Sequence, residues 1–319
     1  MNAAAFHLLN DFQRDFPLCA RPFARIGQRV GLSETQVLDE YVHLRHEGKI
    51  GRIGPVFAPH CFGASTLAAM RVPPAELEAT AARVDAFAAV NHDYEREHRW
   101  NLWFVVTAAD RTRLVATLND ISASAGRPLI SLPIVRAFHV DLGFPLDGAR
   151  GDARPPRAPS TVTTSARERR LVAALQDGLP LEPRPFARVA ERADMSEEDT
   201  VIQLARWLHS GAVRRVGVVV RHRAVGYVAN AMLVFDAPDD AAARIGEALA
   251  ADGEVSLCYL RRRAAPHWPY NLFCMIHGHA RDEVAAGIER LRERHGIAHL
   301  RHEILFSRRC FKQTGARYV

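Results

Sequence analysis

Residues 21–63 read RPFARIGQRVGLSETQVLDEYVHLRHEGKIGRIGPVFAPHCFG, and residues 184–226 read RPFARVAERADMSEEDTVIQLARWLHSGAVRRVGVVVRHRAVG. The two align without a gap through RPFAR, Ser33 with Ser196, Gly48 with Gly211, Arg52 with Arg215, Gly54 with Gly217 and Gly63 with Gly226. Self-similarity at a fixed period marks a duplicated architecture. In each copy RPFAR opens a short helix, and a serine (Ser33 or Ser196) is placed to cap a second helix that ends at glycine (Gly48 or Gly211). An apolar, β-branched run beginning near Gly51 then predicts a wing, giving a winged helix-turn-helix.

Beyond this unit, GASTLAAMRV (63–72) reads as strand, PPAELEATAARVDAFAAV (73–90) as helix and NHDYERE (91–97) as strand. WNLWFVVTA (100–108) follows as strand, DRTRLVATLNDISASAG (110–126) as helix and PLISLPIVRAFHV (128–140) as strand. The second copy repeats the order from YVANAMLVF (227–235) to HLRHEILF (299–306). The order βαββαβ predicts an α+β, ferredoxin-like module in each copy: a four-stranded antiparallel sheet with helices on one face. Residues 145–165, PLDGARGDARPPRAPSTVTTS, are rich in Pro, Gly, Ser and Thr and read as a linker. The expected boundaries are 1–60 and 61–144 for the two domains of the first copy, then 166–223 and 224–319 for those of the second.

Composition sets limits on function. The chain has 319 residues, 48% apolar and 24% charged, within the range of globular proteins. No apolar stretch is long enough to span a bilayer, so no membrane partner is expected. The first residues, MNAAAFHLLNDFQRDF, do not read as a signal peptide, and a cytoplasmic protein is expected. Cys19, Cys61, Cys258, Cys274 and Cys310 are widely spaced, which argues for reduced thiols rather than a disulfide framework or zinc cage. Only Lys49 and Lys312 of the 42 basic residues are lysine. The planar guanidinium fork suits carboxylates and phosphates, so the balance points to an anionic partner.

A helix-turn-helix before a βαββαβ module resembles the Lrp/AsnC regulators. Yet the second helices begin SETQVLDEY and SEEDTVIQL, with Glu34, Asp39, Glu40, Glu197, Glu198 and Asp199 where a DNA reader needs basic or amide groups. No specific DNA binding is therefore expected. Attention moves to two ionisable clusters at the same place in each module: NHDYEREHRWNLWF (91–104) and YLRRRAAPHWPYNLF (259–273). Tyr94 aligns with Tyr259 and Asn101 with Asn271, and Trp100 stands where the second copy has Tyr270. Both clusters fall on the hairpin between the second and third strands.

Tyr94-Glu95-Arg96 followed by His98-Arg99-Trp100-Asn101-Leu102-Trp103-Phe104 resembles the signature of the siroheme decarboxylases, which are Lrp-like proteins. Cys258-Tyr259-Leu260-Arg261 and Pro269-Tyr270-Asn271-Leu272 resemble the partner subunit's motif. Arg52-Ile53-Gly54 and Arg215-Val216-Gly217 match the family's RxG segment, and the order of copies matches the fused two-subunit form. The resemblance implies loss of two acetate carboxyls, on rings C and D of siroheme, as carbon dioxide in haem d1 biosynthesis. A polyanionic iron tetrapyrrole needs fixed cations and aromatic walls. It also needs a proton donor for the exocyclic carbon, a role suited to histidine.

On this basis His98 and His267 are the first candidates for proton donor, with His92 behind them and Tyr94 and Tyr259 to orient substrate. Arg96, Arg99, Arg261, Arg262 and Arg263 are expected carboxylate clamps, and not all three consecutive arginines can point one way. Tyr270, Arg52 and Arg215 are further binding candidates, and His222 is a weak candidate axial ligand to the substrate iron. Asn101 and Asn271 are expected to tie the hairpin backbone. No cofactor is expected beyond the iron tetrapyrrole itself, because the macrocycle serves as its own electron sink. A homo-oligomer or a complex with homologous subunits is a possible assembly. Two other readings stay open: a regulator sensing a small anion, and a non-catalytic tetrapyrrole carrier.

Overall fold

The computed structural model describes residues 2–58, 61–140, 143, 146 and 164–318. The linker expected at 145–165 lies outside these residues except for Leu146, Thr164 and Ser165. Each copy begins with three helices and a strand: α1 (Ala3–Asn10), α2 (Pro22–Val30), α3 (Glu34–His46) and β1 (Ile50–Phe57) in the first. The second has α6 (Ala166–Leu175), α7 (Pro185–Ala193), α8 (Glu197–Ser210) and β6 (Val213–Val220). Ser33 and Ser196 cap α3 and α8 as the sequence predicts. Ser33 accepts from the Gln36 N–H while Gln36 reaches back, a full capping box, and Ser196 accepts from the Asp199 N–H.

The wing is not formed among the described residues. Instead β1 and β6 pair with each other, antiparallel, with Gly54 opposite Gly217. This explains the RxG glycine of the second copy: a Cβ on Gly217 would sit 2.1 Å from the Gln13 carbonyl oxygen, which crosses the ribbon there. Both helical units consequently share one core, in which Phe23, Tyr41, Phe186 and Trp207 pack around valines of β6.

The first copy continues with β2 (Ala64–Met70), α4 (Leu77–Asp85), β3 (Val90–Arg96), β4 (Leu102–Ala108), α5 (Arg111–Ala125) and β5 (Leu129–Val140). The second has β7 (Ala229–Phe235), α9 (Ala242–Ala250), β8 (Leu257–Arg261), β9 (Leu272–Gly278), α10 (Arg281–Arg294) and β10 (His302–Gln313). The two sheets do not stay separate. They close into one eight-stranded barrel in the order β10-β3-β4-β2-β5-β8-β9-β7. The long last strand of each copy makes the seam. β5 pairs with β2 through Leu129–Pro133 and then with β8 from Ile134. β10 pairs with β7 through Phe306 and with β3 from Ser307. An open four-stranded sheet would leave two edges of unpaired backbone groups, and closure removes them. The helices cover the outside, giving separate cores under α4/α5 and α9/α10. Trp103, Trp268, Tyr270 and Phe273 fill the inside.

Candidate active site

Strand alternation decides what faces the barrel interior. β3 turns His92, Tyr94 and Arg96 inward, and β8 turns Leu257, Tyr259 and Arg261 inward. β4 contributes Trp103, Val105 and Thr107, and β9 contributes Phe273, Met275 and His277. Together they line a cavity of about 340 Å³, within the size range of ligand sites. Its roof comes from the helix-turn-helix units: Arg52 and Phe57 from β1, Val219 and Val220 from β6, and Arg221 and His222 just beyond. The described lining residues hold four arginines and neither aspartate nor glutamate.

The arginines are held in matching ways. Arg96 donates through Nη1 to the Leu305 carbonyl at 3.0 Å, and Arg261 through Nη1 to the Leu132 carbonyl at 2.8 Å. Each guanidinium lies near its neighbouring tyrosine ring, at 5.7 Å for Tyr94 and 5.0 Å for Tyr259. Both Nε atoms are buried without a partner, and no carboxylate pairs with either side chain among the described residues. Burial pushes both down to about 10, and Arg52, whose Nη1 donates to the Pro55 carbonyl at 2.8 Å, down to about 10 as well. Buried cations without counter-charges are costly, and here they surround an open cavity.

Three histidines gather on one side. His222 and His277 meet edge to face with ring centroids 4.9 Å apart. His222 Nε2 lies 3.2 Å from Asn230 Nδ2, and His277 Nδ1 lies 2.8 Å from Ser256 Oγ. Burial first, then Arg52, pushes His92 down to about 4. Burial, then Arg223, His92 and Arg96, pushes His222 down to about 4, and His277 is driven well below the ordinary range by burial and His222. All three are neutral in the unliganded pocket at neutral pH. Burial raises the Tyr94 and Tyr259 hydroxyls, so both remain protonated.

The sequence-predicted residues divide cleanly. His92, Tyr94, Arg96, Arg52, Tyr259, Arg261 and His222 line the cavity. His98 and His267 do not, because the β3–β4 and β8–β9 hairpins lie at the end of the barrel away from the roof. His98 Nε2 sits 3.1 Å from Glu303 Oε2, its Nδ1 accepts from the Trp100 N–H, and its ring meets Trp268 edge-on. Trp268 in turn packs 5.0 Å from Trp103, which separates His98 from the cavity. His267 is exposed beside Trp100. Arg99 and Arg262 are exposed, and Arg263 is ion-paired with Asp236 and Asp239. Arg215 is spent on the Gln13 and Val218 carbonyls, and Tyr270 donates to Glu303 Oε1 at 2.9 Å. Asn101 and Asn271 tie backbone, as expected, to Val72 and Ala237. Sequence reasoning missed His277, Arg221 and Tyr318. His277 had a signal, as an imidazole two places after Met275 in an otherwise apolar strand.

Two family models match the chain. An AsnC-like ligand binding domain covers residues 61–139 and 224–312, and a siroheme decarboxylase NirDL-like HTH domain covers 7–50 and 168–214. A siroheme decarboxylase NirDL subunit from Paracoccus denitrificans is 42% identical over 316 residues, spanning 99% of this chain and 97% of that one. The crystal structure of the siroheme decarboxylase NirDL matches with a TM-score of 0.69 at 30% identity, covering 99% of this chain and 94% of that chain. A second NirDL structure, in co-complex with an iron-uroporphyrin III analogue, matches with a TM-score of 0.67 at 28% identity, over 99% and 93% of the two chains. With its duplicated architecture, its arginine-lined barrel and relatives similar along its whole length, the chain belongs to the NirDL-type siroheme decarboxylase family.

Proposed function

We propose that this chain removes the acetate carboxyls of rings C and D of siroheme, giving didecarboxysiroheme on the route to haem d1. Each step is balanced: the bond from the acetate methylene to its carboxylate breaks, carbon dioxide leaves, and one proton replaces it to form a methyl group. The observation that carries this reading is the cavity's charge, with four arginines facing an interior that has no described acidic lining residue. Such a site suits a substrate bearing many carboxylates and would repel a cationic one.

Arg96 and Arg261 act as clamps on peripheral carboxylates, with Arg52 and Arg221 adding charge from the roof. Trp103, Phe273 and Met275 supply the apolar wall for the macrocycle, whose π system holds the electron pair released by carbon dioxide. The proton comes from the His92, His222 and His277 group. Those imidazoles are neutral while only arginines face them, and the arriving carboxylates raise their affinity for protons. Binding therefore charges the acid as it positions the leaving group. This reading moves the donor from His98 and His267 to the cavity histidines. Each βαββαβ unit is taken as a ferredoxin-like module joined to its copy.

The helix-turn-helix units serve as the cavity roof in this reading, and DNA binding forms no part of it. Arg21 and Arg184, the basic residues that open the RPFAR repeats, are each bound to the first glutamate of the next helix, Glu34 and Glu197. The test is anaerobic incubation of the protein with siroheme, followed by mass spectrometry of the tetrapyrrole. Loss of one and then two carbon dioxide units is expected; an unchanged mass over many hours would reject the activity.

A further inference from the structure

The strand register gives the barrel an approximate twofold relation, so cavity residues on β2, β3 and β4 have counterparts on β7, β8 and β9. Strand pairing fixes the correspondence. Tyr94 lies opposite Trp103 as Tyr259 lies opposite Phe273, so His92 corresponds to Leu257 and Arg96 to Arg261. Ser65 lies opposite Thr107 as Asn230 lies opposite His277, so His277 corresponds to Thr107. In the repeat, His222 aligns with Pro59. The tyrosine and arginine are thus present at both poles. Among the described residues, His92 and His277 are each present at one pole only, replaced at the other by leucine and threonine.

A second observation points the same way. After β10, whose Gln313 pairs with His92, the chain crosses the barrel mouth toward Thr107. Thr314 N–H donates to the Asn91 carbonyl at 2.7 Å, and Arg317 N–H donates to Thr107 Oγ1 at 3.0 Å. Tyr318 then inserts, 4% exposed, with its ring 6.0 Å from Phe57 and facing the cavity. The strap holds Thr107, the residue standing where the other pole has His277, and Tyr318 occupies space beside it.

We infer that the cavity has one protonating pole, built by His92, His222 and His277, and one anchoring pole, built by Tyr259, Arg261 and the Tyr318 strap. Both acetates of one substrate are then removed at the same pole, in turn. This rests on the activity proposed above and adds a requirement to it. On rings C and D the propionates face each other across the shared methine bridge, and the acetates lie on the outer sides. A half turn about the axis through that bridge exchanges the two acetates. An in-plane rotation by one ring does not, because it puts a propionate where the acetate stood. The cavity under the β1–β6 roof and above the Trp103–Trp268 floor measures about 340 Å³, far less than the volume a rigid tetrapyrrole disc sweeps in turning over. The monodecarboxylated intermediate therefore leaves and rebinds with its other face forward. The anchoring pole accepts both orientations because a guanidinium reads carboxylate charge and fork geometry, which either side of the ring presents.

The experiment is a trapped turnover. The protein, in excess, is mixed anaerobically with siroheme, and a large excess of metal-free uroporphyrin III is added before the first step completes. Filtration separates free from bound tetrapyrrole for mass spectrometry. The monodecarboxylated compound is expected in the free fraction, with the didecarboxylated product cut at least about tenfold against the trap-free control. Equal didecarboxylated product with and without the trap overturns the inference, since both steps then occur in one residence. No loss of carbon dioxide in the trap-free control instead rejects the activity itself. Two variants give a second reading. His277→Ala should slow both steps by a similar factor, about 10² to 10⁴. Arg261→Ala should weaken binding of siroheme and intermediate alike. An Arg261→Ala protein that removes the first acetate at the parent rate and stalls there would place the second chemistry at the Tyr259 pole and overturn the inference.

Discussion

Replacing Arg261 by methionine should make the unliganded protein more stable and the liganded one weaker. Arg261 is 8% exposed, donates to one carbonyl and leaves its Nε without a partner. Burial lowers it to about 10, a fall from the ordinary guanidinium value that corresponds to about 3 kcal/mol against the charged form. The sign follows from linkage: a base whose folded value is depressed carries this penalty at every pH below about 10, so it is fully present at neutrality. Methionine has similar length, no charge and a flexible thioether that fills the same space. Allowing for the lost hydrogen bond to Leu132, the net gain in the unliganded state is about 1–3 kcal/mol. The same change removes a clamp, costing about 1.5–3 kcal/mol in binding, or about tenfold to a hundredfold in Kd for siroheme. Thermal unfolding without ligand and an anaerobic absorbance titration with siroheme measure the two effects. A variant that melts below the parent and binds siroheme equally well would refute the reasoning, because Arg261 would then be a structural cation rather than a waiting clamp.

Other outcomes follow from the same geometry. His98→Ala and His267→Ala should retain decarboxylation within about threefold, whereas His222→Ala should lose about 10² to 10⁴ in rate, measured by tetrapyrrole mass spectrometry. His222, held down to about 4, binds fewer protons folded than unfolded between about pH 6.5 and 4, so its contribution is full above that window and declines through it. The loss at pH 5 is about 2 kcal/mol, and His222→Asn should flatten the acid side of the melting curve. Siroheme binding should take up protons from a weakly buffered solution near pH 7, and a proton change of zero or the opposite sign would contradict charging of the cavity histidines. Duplex DNA should bind weakly and release as salt rises, with no protected sequence in a footprint.

The duplication, the capped helical pairs, the βαββαβ order and the aspartate- and glutamate-rich second helices were all legible in the chain, because each is a local matter of periodicity, capping and charge. So was the pair of Tyr-x-Arg clusters, since alternation along a strand sends Tyr94 with Arg96, and Tyr259 with Arg261, to one face. Local patterns could not tell which face became the inside of a cavity. Partner choice settled that: β5 and β10 each extend past their own sheet to pair with the other copy, and β1 pairs with β6 instead of folding into a wing. Closure put the cavity inside the barrel, under the helical units, and left the hairpins carrying His98 and His267 beyond an aromatic floor. It also assembled His92, His222 and His277 from three separate elements, a meeting across up to 185 residues of chain that no spacing in the sequence encodes. Side-chain identity belongs to the sequence; which side chains share a low-dielectric space depends on long-range strand pairing, and only the tertiary structure decides it.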